Sequence, residues 1–280
     1  DEYLTKYITF RSRFVFLQHG IILNDLSKWL NSKKIDLFIT STKAEYDSIV
    51  NNYNRYKFGK KEVILTGLAR HDALLRNNKI NAKQILIMPT WRANIVGSIT
   101  NSDIRDLKEK FKQSEYFQQW NSLLNNDNLK KLCEQYSYTI VFNSHPKIKL
   151  YLKEFSLPHY IKIANQNESL QKLFFNSASI ITDYSSVAFE MAYLKKPVIY
   201  YQFDKEEFFS SHTLQKGYFD CEKHGFGPIV ENEENLLRDL EGLLQKDCKS
   251  FGLYKDNINS TFIFRDSKCC ERIYGILNSV

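Results

Sequence analysis

No two aspartates stand as D-x-D anywhere in the 280 residues, and there is neither a P-loop nor a G-x-G-x-x-G fingerprint. The usual carboxylate pair for a nucleotide-bound Mg²⁺ or Mn²⁺ is therefore missing, as are the glycine-rich phosphate loops of NTPases and dinucleotide enzymes. Cysteine is sparse: the five residues at 133, 221, 248, 269 and 270 form no C-x-x-C pair, which argues against a zinc ribbon or a redox motif. An odd count without a spaced framework fits a reducing, cytoplasmic setting. No apolar run approaches the roughly 20 residues that span a bilayer. The opening D-E-Y-L-T-K-Y has neither a basic n-region nor an apolar h-region, and it lacks Met, which reads as a piece of something longer. Lysine and arginine are scattered and form no nucleic-acid arm, so no nucleic-acid partner is expected.

What is present is ordinary for a globular α/β protein, with 43% hydrophobic and 25% charged residues. The formal net charge of +7 suits an anionic ligand, polymer or membrane surface without choosing among them. Short apolar runs bounded by turn residues predict strands at 13–17, 36–40, 62–65, 84–88, 138–142, 160–163, 179–182 and 197–201. Helical patterns lie between and after them, at 42–52, 104–111, 128–136, 169–176, 185–194, 233–244 and 267–277. Thr42 with Glu45 reads as the capping box of the first. Strands alternating with helices imply parallel sheets with helical crossovers. The Asn-rich stretch 77–82 is the candidate linker, dividing an N-terminal part (1–80) from a larger C-terminal part (81–280).

Ligands of such sheets bind beyond the carboxyl ends of the strands, and the suggestive residues sit there. His19 in F-V-F-L-Q-H-G and His145 in V-F-N-S-H-P each close a strand. A histidine so placed can act as general base, and two could face each other across a cleft; each could also be a turn residue. Arg92, in I-M-P-T-W-R, could fork onto a phosphate, whereas Trp91 reads as core. In I-I-T-D-Y-S-S-V-A-F-E, Thr182, Asp183, Ser185 and Ser186 crowd a strand-to-helix junction. One such residue would cap the helix; four suggest an anion cradle. Glu190, one turn on, could accept bonds from a ribose or be a solvated helix residue. His71 reads as a helix-start residue, and His159, His212 and His224 have no metal-like neighbourhood.

Taken in order, Q-H-G, I-L-T-G-L-A-R-H-D, I-M-P-T-W-R, N-S-H-P, T-D-Y-S-S-V-A-F-E and K-K-P-V-I-Y-Y-Q-F-D resemble the motifs of the CDP-glycerol glycerophosphotransferase family, and Q-K-G-Y-F-D and G-P-I-V fit it too. Each is weak alone, but their shared order is specific. The resemblance implies a GT-B fold: two Rossmann-like halves with the active site between them, the N-terminal half incomplete, and a last helix crossing back to it. It implies His19 as base toward the acceptor hydroxyl, and His145 stabilising the pyrophosphate and the departing CMP. Thr182, Asp183, Ser185, Ser186, Arg92 and Glu190 would hold the donor. Gln18, Gly20, Asp25 and Lys216 would lie on the acceptor side.

The implied reaction moves glycerol phosphate or ribitol phosphate from CDP-glycerol or CDP-ribitol to a growing teichoic-acid-like or capsular polymer, without metal or other cofactor. The acceptor would be an anionic or lipid-linked glycan or polyol phosphate, met peripherally on the inner face of the bacterial membrane. A GT-B glycosyltransferase using a nucleotide sugar, or a non-catalytic binding module, is the alternative. Two departures bear on the substrate. The family's W-H-G-T-P-L-K is here Q-H-G-I-I-L-N-D, and Lys216 stands where R-G is common.

Overall fold

The computed structural model describes residues 13–51, 55–96, 104–165, 167–211 and 216–279; His212 and Gln215 lie outside them. Its strands are β1 (Val15–Phe16), β2 (Leu37–Thr40), β3 (Val63–Leu65), β4 (Gln84–Ile87), β5 (Thr139–Phe142), β6 (Ile161–Ile163), β7 (Ser179–Thr182), β8 (Val198–Tyr201) and β9 (Ile229–Val230). They form two sheets, β1-β2-β3 and β6-β5-β4-β7-β8-β9. Every pairing is parallel. The eight predicted strands fall at these positions, and β9 is an addition at the sheet edge. The stretch 77–82 joins the helix Ala69–Arg76 of the first sheet to β4 of the second.

Strands covered on both faces read as near-continuous apolar runs. In β4, Ile85 and Ile87 face one layer with Trp120, Leu123, Leu236 and Leu240. Leu86 between them faces the other, with Phe189, Met191 and Phe226. That second layer also takes Leu37 and Ile39 from the first sheet and Leu74 from the helix Ala69–Arg76, so one apolar core runs through both halves. Beyond the first sheet, Phe38 and Val63 pack on Ile49, Val50 and Tyr56.

The helices start where the sequence supplies acceptors. Thr42 accepts from the Glu45 N–H, Ser114 from Phe117 and Asn232 from Asn235. The helix Glu115–Leu124, absent from the sequence prediction, contributes the fully buried Trp120.

The last helix, Cys269–Ser279, lies against Ala69–Arg76 of the first half. The Asp72 carboxylate accepts from the N–H groups of Cys269 and Cys270, both at 2.8 Å. Gly67 has φ +79°, and a Cβ there would sit 2.5 Å from Cys269 Sγ. The T-G-L-A-R-H-D segment is therefore the seat of the returning helix.

Candidate active site

The carboxyl ends of β1, β4, β5 and β7 converge. His19 follows β1 in an exposed turn. His145 follows β5 and caps the 3₁₀ helix Pro146–Glu154, its Nδ1 accepting from the Lys147 N–H at 3.2 Å. With Nδ1 so used, the neutral ring carries its proton on Nε2. Burial, the Lys147 ammonium and the charge of His19 all push the His145 pKa down. The two histidines come from different sheets, at strand ends. Trp91 stands 6.0 Å from the His145 ring, and Lys147 lies 3.5 Å over the indole.

Gly20 meets the other half directly. A Cβ on it would come 2.9 Å from Ser186 Oγ. Ser186 begins the helix Val187–Tyr193 but makes no capping bond with its own side chain. Ser185 Oγ accepts from the Val187 N–H at a long 3.4 Å. Both serines are partly open to solvent. A cavity of about 770 Å³ opens beside them, bordered by Ser185, Gln202, Lys205 and Lys216 and, from the first half, Leu23 and Asn24. Neither histidine lines it. Gly217 lets this wall close, because a Cβ there would lie 2.3 Å from the Leu23 carbonyl oxygen.

Four residues expected to hold the donor directly are engaged elsewhere. Thr182 is fully buried and donates its hydroxyl to the Met88 carbonyl at 2.7 Å, tying β7 to β4. Asp183 is also buried, accepting from the N–H groups of Thr90 (2.9 Å) and Tyr184 (2.7 Å). Arg92, 3% exposed, forks onto Asp204 at 2.6 and 3.0 Å, lies 2.9 Å from Asp183 Oδ2 and donates to the Thr90 carbonyl. Its expected phosphate fork is occupied by these carboxylates, so its charge stabilises the strand ends. Glu190 is neither solvated nor free for a ribose. It is 6% exposed and takes two bonds from Arg70, at 3.1 and 2.6 Å, with His71 Nε2 3.3 Å from its other oxygen. Burial alone would raise its pKa, but His71 and Arg70 outweigh it and hold the carboxyl at about 2.

On the acceptor side, Asp25 accepts from the Ser27 N–H and pairs with Arg55 at 3.1 Å, which accounts for it structurally. Gln18 has φ 70° and donates Nε2 to Glu45 at 3.0 Å. The sequence reading passed over Arg70 and Glu45. Arg70 sits in the quoted T-G-L-A-R-H-D run, and Glu45 looked like a capping residue only. Among the described residues, no three His, Cys, Asp or Glu side chains group as a metal site. No helix among them is long and apolar enough to cross a membrane.

The family described as CDP-Glycerol:Poly(glycerophosphate) glycerophosphotransferase matches residues 6–278. The chain belongs to this family. It is 39% identical over 271 residues to the Minor teichoic acid biosynthesis protein GgaB of Bacillus subtilis (strain 168), covering 96% of this chain and 29% of that protein. It is 28% identical over 224 residues to a Teichoic acid poly(glycerol phosphate) polymerase of Bacillus spizizenii strain W23, covering 77% of this chain and 51% of the other. The chain thus spans about half or less of these relatives. The Wall Teichoic Acid Polymerase TagF superposes with a TM-score of 0.66 at 18% identity, over 96% of this chain and 68% of that one. At that identity the likeness is one of fold, and the fold is α/β and GT-B-like, as the motifs imply.

Proposed function

We propose that the chain transfers a polyol phosphate, glycerol phosphate or ribitol phosphate, from a CDP-activated donor to a hydroxyl of a teichoic-acid-like or capsular polymer. The observation that carries this reading is the meeting of the two halves at their strand ends: Gly20, next to His19, abuts Ser186 at the start of the helix after β7, and His145 closes β5 on the other side of β4 in the same sheet. Family membership and relatives named as teichoic acid polymerases support the donor class.

In this reading His19 accepts the proton of the acceptor hydroxyl. The acceptor oxygen bonds to the β-phosphorus as the bond from that phosphorus to the bridging oxygen breaks, and CMP leaves with the electron pair. His145 Nε2–H donates to the pyrophosphate as charge builds on the leaving oxygen. Ser185 and Ser186 hold phosphate oxygens. Lys216, on the wall of the neighbouring cavity, receives an anionic acceptor, while Lys205 on the same wall is paired with Glu222 at 2.9 Å. The transfer needs no divalent cation, because protonated and cationic side chains meet the charge. The acceptor is membrane-linked, and the positive net charge favours work at an anionic surface.

Calorimetric titration with CDP-glycerol, CDP-ribitol, CDP, CMP and UDP-GlcNAc, together with product analysis, tests the reading. Cytidine diphosphates should bind, CMP should be released with a new phosphodiester, and EDTA should not inhibit. Ser185→Ala with Ser186→Ala should weaken donor binding by about 1–3 kcal/mol, the loss expected for charge-assisted bonds. His19→Ala should abolish turnover and keep donor affinity. A glycosidic product, or preference for UDP-GlcNAc, would overturn the assignment.

A further inference from the structure

The turn that carries His19 is held from two sides by residues that would not touch the substrate. Arg70 Nη1 donates to the Gln18 carbonyl at 3.2 Å, one residue before the histidine. The same guanidinium donates Nε and Nη2 to Glu190, on the helix that starts after Ser186. On the far side of the turn, Glu45 Oε1 accepts from Gln18 Nε2 at 3.0 Å and from the Ile22 N–H at 2.7 Å. Its other oxygen accepts from the Ser41 N–H at 2.7 Å. Gln18 itself sits in the left-handed region at φ 70°, which a non-glycine residue holds only when its surroundings impose it.

We propose that Arg70 is a positioning residue, setting the distance between His19 and Ser186 by gripping the Gln18 carbonyl with one arm and Glu190 with the other two donors. A salt bridge serving stability alone would need only the carboxylate. The third bond runs to the chain immediately before the proposed base. Gly20, just after that base, is where the turn meets Ser186, so the same few residues carry both the base and the contact between halves. A planar fork suits this task and an ammonium does not, since a lysine cannot present three fixed donors in two directions. The catalytic consequence rests on the reading of His19 as base.

The test uses Arg70→Lys and, as a variant that leaves Arg70 and all packing volume in place, Glu190→Gln. Hydrogen exchange of the peptide covering residues 17–22 reads the turn whether or not the chain turns over. Exchange there should speed by about tenfold while the β4–β8 amides stay protected, the signature of local rather than global opening. In the transfer assay kcat should fall by about 10²-fold, the effect of a misplacement near 1 Å. CDP-glycerol affinity should stay within about twofold, since neither side chain is placed on the donor. Unchanged exchange in both variants overturns the proposal. Donor affinity falling by the same factor as kcat/KM also overturns it, and makes Glu190 a donor ligand. His19→Ala run alongside separates the two readings. Turnover surviving in His19→Ala sinks the base assignment, whatever Arg70→Lys does. Turnover lost in His19→Ala but kept in Arg70→Lys sinks the positioning role alone.

Discussion

Gly20 and Ser186 touch across the two sheets: a Cβ on the glycine would stand 2.9 Å from the serine Oγ but 3.8 Å from its Cβ. The clash is therefore with one rotatable hydroxyl, not with backbone. Gly20→Ala should fold, swing Oγ aside and weaken CDP-glycerol binding. In a Ser186→Ala background the added methyl meets only ordinary contact, so the same change should cost little more. The double-mutant cycle should show a coupling of about 0.5–3 kcal/mol in donor affinity, as expected of neighbours. Additive effects would mean that Ser186 Oγ takes no part in holding the donor.

Arg92 is the cation between two buried carboxylates, Asp183 and Asp204. Its aromatic surroundings, Tyr116, Tyr184 and Phe208, offer no replacement charge. Arg92→Ala should cost about 3–5 kcal/mol, because it strands those carboxylates in the core. Urea unfolding measures this directly. A variant of normal stability with only a raised donor KM would restore the phosphate-fork expectation.

That reversal marks where the sequence stops being legible. Strands such as β8 are buried on both faces, so they stand out as unbroken apolar runs. The two-residue β9 is too short to carry a pattern. Glu115–Leu124 shows its buried face only once Tyr116, Trp120, Leu123 and Leu124 are read at helical spacing. At the site, the motifs announced that Thr182, Asp183, Arg92 and Glu190 matter. They could not say how, because their partners are distant in sequence: the Met88 carbonyl, the Thr90 amide, Asp204 and Arg70. A polar residue at a strand end looks the same whether it faces a ligand or braces the chain that does. His19, Ser185 and Ser186 kept openness to solvent, which only the packed chain reveals.

His145 begins depressed below its ordinary 6.5 by burial, Lys147 and His19. A bound pyrophosphate would bring the opposite charge to Nε2 and raise that pKa. Donor binding near pH 6.5 should therefore take up a fraction of a proton. CDP-glycerol is the right probe, since its doubly esterified pyrophosphate does not titrate near neutrality. Calorimetry in two buffers of different ionisation enthalpy measures the uptake, and His145→Gln should abolish it. Proton release, or no exchange in the wild type, would place the pyrophosphate away from His145.

Glu45 gives the turn around His19 a pH dependence of its own. Burial pushes its carboxyl up from 4.5 to about 7, against the lowering by the Ser41, Ile22 and Thr42 amides and the Arg70 charge. Between those two values the folded chain keeps a proton that the unfolded chain has lost. Stability from this group is therefore full below about pH 4.5 and falls as pH rises toward 7, by up to about 3 kcal/mol. Other groups titrate in the same window, so the informative quantity is a difference. Urea midpoints at pH 5 and pH 7.5 should fall more in the wild type than in Glu45→Gln, whose amide cannot ionise. The opposite sign would mean that the amides around the carboxylate outweigh burial, and that Glu45 is already ionised while it holds Gln18 and Ile22 in place.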